Sequence, residues 1–259
     1  LTIVYTSGTT GPPKGAMLTH GNIFHVCESV APLLPLGPED RGIVYLPLAH
    51  ILQRYTVYLG LRMGGVGYYL SEIPRLGEVL PVVKPTMLAA VPRVLEKIHA
   101  AAMARAAELS FTQRSVFDWA FGIGHQVSAL ERQGESPGWV LSMRHRLADR
   151  LVFSKIRAKL GGSVRLIVSG GAPLAPHLSE WFHAAGVLVI EGYGLTETSA
   201  PATTNTPDNY RFGSVGRAIP ETDVRIAEDG EIEVKGPGVF AGYYLDEEAT
   251  TAAFTPDGY

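Results

Sequence analysis

The chain has 259 residues, of which 46% are hydrophobic and 18% are charged, a composition typical of a globular protein with a core of ordinary size. With 22 basic residues against 25 acidic ones, its formal charge is −3. This balance excludes a general attraction to nucleic acid, so any anion site must be local. The single cysteine, Cys27, allows no internal disulfide, and we expect a reducing, cytoplasmic compartment.

Strand-like and helix-like segments alternate over the first three quarters of the chain, which favours a parallel sheet covered by helices. The predicted strands are LTIVY (1–5), GIVYLPL (42–48), GVGYYL (65–70), TMLAAV (86–91), VRLIVSG (164–170) and VLVIEGY (187–193). Apolar residues at helical spacing predict helices between them, as in NIFHVCESVAPLL (22–34) and ILQRYTVYLGLRM (51–63). The sequence therefore predicts an α/β region over residues 1–210.

Between Pro92 and Gly161 the pattern is helical and carries no strand signal. In the segment 140–160, one helical face can hold the apolar residues Val140, Met143, Leu147, Leu151 and Ile156. Basic residues occupy the remaining faces, namely Arg144, Arg146, Arg150, Lys155, Arg157 and Lys159. We favour a surface helix that packs by its apolar stripe. The alternative is attraction to a polyphosphate ligand or to an anionic membrane surface, with peripheral association at the inner face.

After about residue 211 the sequence changes to short alternating runs, DVRIAEDGEIEVKGPGVFAGYY (223–244). Asp229 and Gly230 predict a turn between two antiparallel strands. We therefore expect a β-rich subdomain over residues 211–259. Since the chain begins inside a strand-like run and stops in a turn, we also expect it to be a piece of a longer protein.

The stretch YTSGTTGPPKGAMLTH (5–20) combines a strand with a loop rich in Gly, Thr and Ser. Backbone N–H groups and hydroxyls of such a loop can surround phosphate oxygens, and Lys14 adds a cation. It is not a Walker P-loop, because Lys14 follows Pro13 and precedes Gly15 instead of entering a helix before Ser or Thr. Two prolines prevent a helix here, so we expect a projecting flap. A surface connection without a ligand would not require four hydroxyl side chains among three glycines.

Five motifs in this order resemble the signatures of the adenylate-forming superfamily, which includes acyl-CoA synthetases, luciferases and peptide-synthetase adenylation domains. They are YTSGTTGPPKG (5–15), PLAH (47–50), SGGAPL (169–174), EGYGLTET (191–198), and GSVGRAIP with GEIEVKGPGVFAGYY (213–220 and 230–244). The segment ADRLVFSKIRAKLGG (148–162) is most similar to the long-chain fatty acyl-CoA synthetase branch. This resemblance implies a layered core of parallel sheet and helices, followed by part of a distorted β-barrel.

The resemblance also implies a reaction. A long-chain fatty acid and ATP would give an acyl-adenylate, and CoA would then take the acyl group, with AMP and pyrophosphate released. Two alternatives stay open: an acyl-AMP ligase that loads a carrier protein, and a nucleotide-binding module without turnover. The family's ribose-binding aspartate and its small C-terminal domain with a catalytic lysine would lie beyond residue 259. We therefore expect the chain by itself to be inactive.

By resemblance, the β and γ phosphates of ATP would be held by Thr6, Ser7, Gly8, Thr9, Thr10, Gly11 and Lys14. Glu197 would bind Mg²⁺, which prefers carboxylate oxygens, and Thr6 would lie near the metal. Thr196 would donate to the α-phosphate. The structural alternatives are a helix N-cap at Thr196 and a carboxylate at a helix start at Glu197.

The resemblance places adenine beside Gly170, Gly171, Ala172, Glu191, Gly192, Tyr193 and Gly194. The Tyr193 ring would lie against the base, although alone it would be interpreted as a strand-end aromatic. His50, at the end of strand 42–48, would stand beside the reacting carboxylate, although a lone histidine is more often structural. Ile51 and Arg54 would complete the acyl site. Arg54 stands where some long-chain members have a gating tryptophan, and the effect of Glu191 on the adenine pocket stays open.

Overall fold

The computed structural model describes residues 2–6 and 12–259. Its strands are β1 Thr2–Thr6, β2 Lys14–Leu18, β3 Arg41–Val44, β4 Val66–Tyr69, β5 Met87–Ala90, β6 Leu166–Ser169, β7 Leu188–Leu195, β8 Ala200–Thr204, β9 Arg217–Ala218, β10 Asp223–Ile226 and β11 Ile232–Lys235. Its helices are α1 His20–Val30, α2 Ile51–Met63, α3 Leu76–Val83, α4 Pro92–Ala107, α5 Phe111–Arg132, α6 Trp139–Ala148, α7 Ser154–Lys159, α8 Pro176–Ala184 and α9 Glu247–Ala252. None of these helices is both long enough and apolar enough to cross a membrane.

A five-stranded sheet in the order β5-β6-β7-β8-β9 forms the centre of the fold. Its first three strands are parallel, as the alternating pattern predicted, whereas β8 and β9 are antiparallel additions. Strands β3 and β4 form a separate parallel pair. The result is the predicted α/β architecture, because each parallel connection returns through helices that cover the sheet.

The larger hydrophobic core lies between strands β5 to β7 and the outer helices. Phe153 and Phe182 are fully buried in it, and the Trp181 ring stacks on Phe121 with 5.2 Å between centroids. A Cβ at Gly124 would stand 2.7 Å from the Ala184 carbonyl oxygen, so a glycine is required where α5 meets α8. This close packing fixes the outer helices against the strands that carry the candidate site.

A second core joins the two ends of the described chain. Val4, Leu18 and Val26 pack there with Phe240. The segment 237–244 pairs with β2: the Met17 N–H donates to the Gly242 carbonyl at 2.9 Å, and the Ala241 N–H to the Met17 carbonyl at 3.0 Å. The tail therefore lies directly against the strand that begins at Lys14. The boundary near residue 211 stays a prediction.

Two strand assignments need correction. LTIVY does not enter the parallel sheet, because the unpredicted strand β2 pairs with it antiparallel. GIVYLPL forms a strand only as far as Val44. The amides of Tyr45 and Leu46 donate to the Gln53 side chain at 3.3 and 3.0 Å, which removes them from the sheet ladder. His50 therefore does not end a strand but precedes α2 as its N-cap residue.

The interpretation of 140–160 as a helix packed by its apolar stripe is wrong. Val140, Met143 and Leu147 are 44%, 59% and 51% exposed. The residues Asp149–Phe153 form a turn of π-helix between α6 and α7. Its wider turn shifts the helical register, so Val152 and Phe153 are buried, and of the predicted stripe only Ile156 packs against the core. The predicted hairpin of the tail is confirmed as β10 and β11, with Gly230 at φ 93° in its turn.

Candidate active site

The motif GLTET forms a hairpin turn between β7 and β8. The Thr198 hydroxyl accepts the Leu195 N–H and donates to the Ala200 carbonyl, both at 2.8 Å. A Cβ at Gly194 would lie 1.7 Å from the Ala200 carbonyl oxygen, so only glycine fits at this bulge. Thr196 is not a helix N-cap and Glu197 is not a carboxylate at a helix start, because no helix begins at either residue. Both side chains are half-buried on a strand-supported turn.

Glu197 and Lys14 meet at Tyr243. The Tyr243 hydroxyl donates to Glu197 Oε1 at 2.6 Å, and Lys14 Nζ stands 5.2 Å from the centroid of the same ring. The Glu197 backbone carbonyl accepts the Phe240 N–H at 2.7 Å, which ties the turn to the tail. Burial and the hydrogen bond to Glu197 both raise the pKa of Tyr243, so it stays a neutral donor. One ring thus positions a carboxylate and a cation.

Thr6 and Lys14, the two ends of the loop predicted to bind phosphate (residues 6–14), are adjacent. Thr6 pairs with Lys14 across β1 and β2, and the Thr6 hydroxyl lies 3.5 Å from the Lys14 carbonyl oxygen. The strand pair brings both predicted residues to one edge, where Tyr243 links Lys14 to Glu197. The loop residues predicted to bind phosphate between them lie outside the described residues: Ser7, Gly8, Thr9, Thr10 and Gly11.

A small cavity of about 90 Å³ adjoins this turn, between β6, β7 and α2. Six of the predicted ligand-binding residues line it, namely Ile51, Gly170, Gly171, Gly192, Tyr193 and Gly194. Tyr193 is part of β7 and is half-buried, so it forms a wall of the cavity. The hydroxyls of Tyr55 and Ser169 are buried on the lining and have no hydrogen-bond partner among residues 2–6 and 12–259. Unpartnered buried hydroxyls are costly and suit a polar ligand group.

Glu191 does not line the cavity. It is buried, and its carboxylate accepts the Leu174 N–H at 3.0 Å, which holds the SGGAPL turn against β7. Burial raises its pKa, while backbone hydrogen bonds from Leu174 and Gly213 oppose that change. Ala172 is exposed on the same turn and is also absent from the lining. Glu191 therefore shapes the turn that the adenine prediction requires.

His50 and Arg54 stand at the beginning of α2, outside the lining of the cavity. His50 is exposed. Arg54 is directed toward β1, where its guanidinium donates to the Thr2 hydroxyl and, at 3.0 Å, to the Leu48 carbonyl. Of the predicted acyl-site residues, only Ile51 is brought into the cavity itself.

The side chains near Tyr243 fit Mg²⁺ held partly by phosphate. Residues 2–6 and 12–259 contain no group of three acidic, histidine or cysteine side chains that could hold a metal ion alone. Mg²⁺ typically uses one or two carboxylates together with phosphates and water. Glu197 Oε2 accepts no hydrogen bond within the part of the chain described, while Tyr243 orients the other oxygen. Such a donor set suits a metal that arrives with its nucleotide.

Sequence reasoning missed Tyr243 and Tyr55 as site residues. Tyr243 lies within the motif GYY, which was noted but given no role. The tail approaches the phosphate loop only through nonlocal pairing with β2, so no local pattern revealed the contact. Tyr55 lies at helical spacing on α2, a pattern that indicates only a core residue.

The sequence model of the family described as AMP-binding enzyme matches residues 1–244. The chain belongs to the AMP-binding enzyme family. The chain is 40% identical over 266 aligned positions to the long-chain-fatty-acid–CoA ligase FadD15 of Mycobacterium bovis, with all of this chain and 43% of that protein covered. It is 35% identical to long chain acyl-CoA synthetase 3 of Arabidopsis thaliana, covering all of this chain and 41% of that protein. The chain thus spans less than half the length of these curated relatives.

Solved structures place the same fold around nucleotides. A malonyl-CoA ligase in a ternary product complex with methylmalonyl-CoA and AMP matches 99% of this chain and 47% of its own chain, with a TM-score of 0.68 and 29% identity. An o-succinylbenzoate–CoA synthetase from Bacillus subtilis, in complex with ATP and magnesium ion, matches 98% of this chain and 45% of its own, with a TM-score of 0.66 and 25% identity. These likenesses confirm the predicted fold class; the described residues form no closed barrel.

Proposed function

We propose that the natural protein carrying this chain activates a long-chain fatty acid with ATP. The fatty acid and ATP would form an acyl-adenylate and pyrophosphate, and CoA would displace AMP to give acyl-CoA. The observation that carries this proposal is the meeting of Glu197 and Lys14 at Tyr243, beside the cavity lined by the GYG motif. The names of the relatives support the same chemistry.

The chemistry requires stabilisation of negative charge. A carboxylate is a poor electrophile, so it must first be activated by attacking the α-phosphate of ATP as a nucleophile. This attack concentrates negative charge on the phosphate oxygens. Lys14 and Thr6, at the two ends of the phosphate loop, would offer a cation and a hydroxyl to those oxygens. Thr196 would donate from the β7–β8 turn. Mg²⁺ held by Glu197 would neutralise phosphate charge during this transfer.

The cavity beside the turn accounts for the adjoining parts of the ligand. Tyr193 and the glycines at 170, 171, 192 and 194 would let a flat base approach the backbone. The Tyr55 and Ser169 hydroxyls would supply donors to the polar junction between nucleotide and acyl group. His50 would close this junction from the exposed beginning of α2.

The test uses the natural protein with Mg²⁺, ATP, a C16 or C18 fatty acid and a thiol acceptor. Mass spectrometry should detect acyl-CoA when CoA is the thiol, and Glu197→Ala should remove most of it. Acyl transfer only to a pantetheinylated carrier protein would indicate a carrier-loading ligase instead. ATP binding without any acyl-adenylate would indicate a nucleotide-binding module and would contradict the proposal.

The basic segment supports a further element of this proposal, peripheral contact with an anionic membrane. Met143 and Leu147 are exposed on α6, next to the cationic side chains of Arg144, Arg146 and Arg150. Exposed apolar residues among cations suit the interface of a bilayer, from which a fatty acid would also come.

A further inference from the structure

Helices α3, α4, α5 and α7 surround an open cavity of about 690 Å³. Its volume falls in the range of small-molecule sites, roughly 300–1,000 Å³. The floor consists of core residues, including Leu80, Phe117 and Val152, each less than 10% exposed. No lining residue is shared with the 90 Å³ cavity beside the GLTET turn. The cavity is therefore separate from the one beside the GLTET turn, and the proposed function does not use it.

The charged side chains on this lining are all cationic. Arg105 comes from the end of α4, and Lys155 and Lys159 come from α7. All three are exposed, and none of them forms an ion pair with any residue in 2–6 or 12–259. Lys155 and Lys159 stand one helical turn apart, where like charges disfavour a helix. An anion bound among the three would relieve this repulsion.

The apolar surface extends from the floor to the rim. Leu109 and Leu151, on the rim, are 37% and 39% exposed, and Ala102 and Ile156 form part of the walls. Removing such surface from water favours binding. An inorganic anion would leave this surface in water, and an uncharged apolar ligand would leave the cations without a counter-ion.

We propose that this cavity is a binding site for a free long-chain fatty acid, separate from the acyl site of the proposed reaction. The acyl chain would lie on the floor between α4, α5 and α7. The carboxylate would lie among Arg105, Lys155 and Lys159. This occupant satisfies both features of the cavity, its apolar floor and its unpaired cations.

Binding can be measured with cis-parinaric acid, a C18 fatty acid whose fluorescence rises when it leaves water. The natural protein is first saturated with an acyl-sulfamoyl adenosine, which resembles an acyl-adenylate and would occupy the proposed acyl site. We expect one equivalent of cis-parinaric acid still to bind. Ala102→Trp, which fills the cavity, should weaken that binding more than tenfold. The matched control Ala104→Trp, on the exposed side of α4 and outside the lining, should not.

A second experiment tests whether binding requires the cationic side chains, with substitutions that do not disturb the core. Lys155→Gln with Lys159→Gln should raise the Kd about fivefold to tenfold, since exposed charge contacts contribute modestly. Arg93→Gln with Lys97→Gln, on α4 outside the lining, is the matched control. The methyl ester of cis-parinaric acid should bind to the unmodified protein at least as weakly as the acid binds to the Lys155/Lys159 variant, which keeps Arg105.

Three results would overturn the proposal: complete displacement by the acyl-sulfamoyl adenosine, equal binding by the Ala102→Trp and Ala104→Trp proteins, or equal binding of the acid and its ester. ATP–pyrophosphate exchange serves as the separate readout of the proposed function. The Lys155/Lys159 variant should retain that exchange within twofold. If exchange is absent from every protein while Ala102→Trp weakens binding and Ala104→Trp does not, the proposed function fails and the lipid site stands.

Discussion

Replacing Tyr243 with phenylalanine tests whether its hydroxyl positions Glu197, the carboxylate proposed to bind Mg²⁺. The substitution removes the 2.6 Å hydrogen bond to Glu197 Oε1 but keeps the ring beneath Lys14. A hydrogen bond to a charged group contributes about 1.5–3 kcal/mol. Loss of a residue that orients a metal ligand typically costs 10- to 100-fold in metal affinity. We therefore expect the Mg²⁺ concentration that gives half-maximal ATP–pyrophosphate exchange to rise at least tenfold, with the rate at saturating Mg²⁺ largely retained.

The assay is a Mg²⁺ titration of exchange at saturating ATP and fatty acid, together with Mg²⁺-dependent ATP binding by calorimetry. Tyr244→Phe is the control, because Tyr244 is adjacent, 47% exposed and has no side-chain hydrogen bond to the residues described. Thermal unfolding separates lost positioning from lost stability. The reasoning is refuted if Tyr243→Phe titrates with Mg²⁺ like the unmodified protein, or if Tyr244→Phe shifts the titration equally.

Three further predictions concern charge. Glu197→Ala should reduce pyrophosphate exchange by about a hundredfold, since a lost metal ligand removes several kcal/mol of charge stabilisation, while Glu197→Asp should retain part of it. Burial raises the pKa of Glu191, so the native state binds this proton more tightly than the unfolded chain does. The contribution of Glu191 to stability is therefore greatest at low pH and is lost as the pH rises through its native pKa. Urea unfolding of the Glu191→Gln protein should lack that pH dependence. Replacing Arg144, Arg146 and Arg150 with Gln should weaken co-sedimentation with anionic vesicles by about 1 kcal/mol per residue, and unchanged co-sedimentation would remove the membrane proposal.

The fold class could be predicted from the sequence because it depends on local patterns. Buried parallel strands such as Leu166–Ser169 are continuous apolar runs, and the helices between them repeat with a period near 3.6. The tail hairpin could also be predicted from the sequence, since the Asp-Gly pair at 229 and 230 specifies its turn. Each of these signals lies within one element and its flanking residues.

The features that escaped prediction depend on contacts between distant parts of the chain. Lys14–Leu18 becomes a strand because β1 and the tail pair with its two edges. The π-helical turn at Asp149–Phe153 changes which face of the basic segment is buried, and periodicity calculated for a regular helix cannot include it. Tyr243 and Glu197 come together only when the tail packs on β2.

In the candidate site too, placements that depend on one strand could be predicted, whereas those that depend on distant contacts could not. Gly192, Tyr193 and Gly194 line one cavity because one strand carries all three, and their role in binding adenine stays a prediction. Glu191 precedes Gly192 on the same strand, but its carboxylate accepts the Leu174 N–H and does not line the cavity. This contact joins residues 17 positions apart, so no local pattern could show it. His50 and Arg54 lie apart from that cavity because β3 ends at Val44, His50 is the exposed N-cap residue of α2, and Arg54 is directed toward Thr2.

Fatty-acid-dependent ATP–pyrophosphate exchange by the natural protein tests the central claim most directly. The exchange reports formation of the acyl-adenylate before any thiol is involved, so it does not depend on whether CoA or a carrier protein is the acceptor. We predict Mg²⁺-dependent exchange with a C16 or C18 fatty acid, and its loss by about a hundredfold in Glu197→Ala. ATP binding with no exchange, or exchange that Glu197→Ala leaves unchanged, would contradict the account.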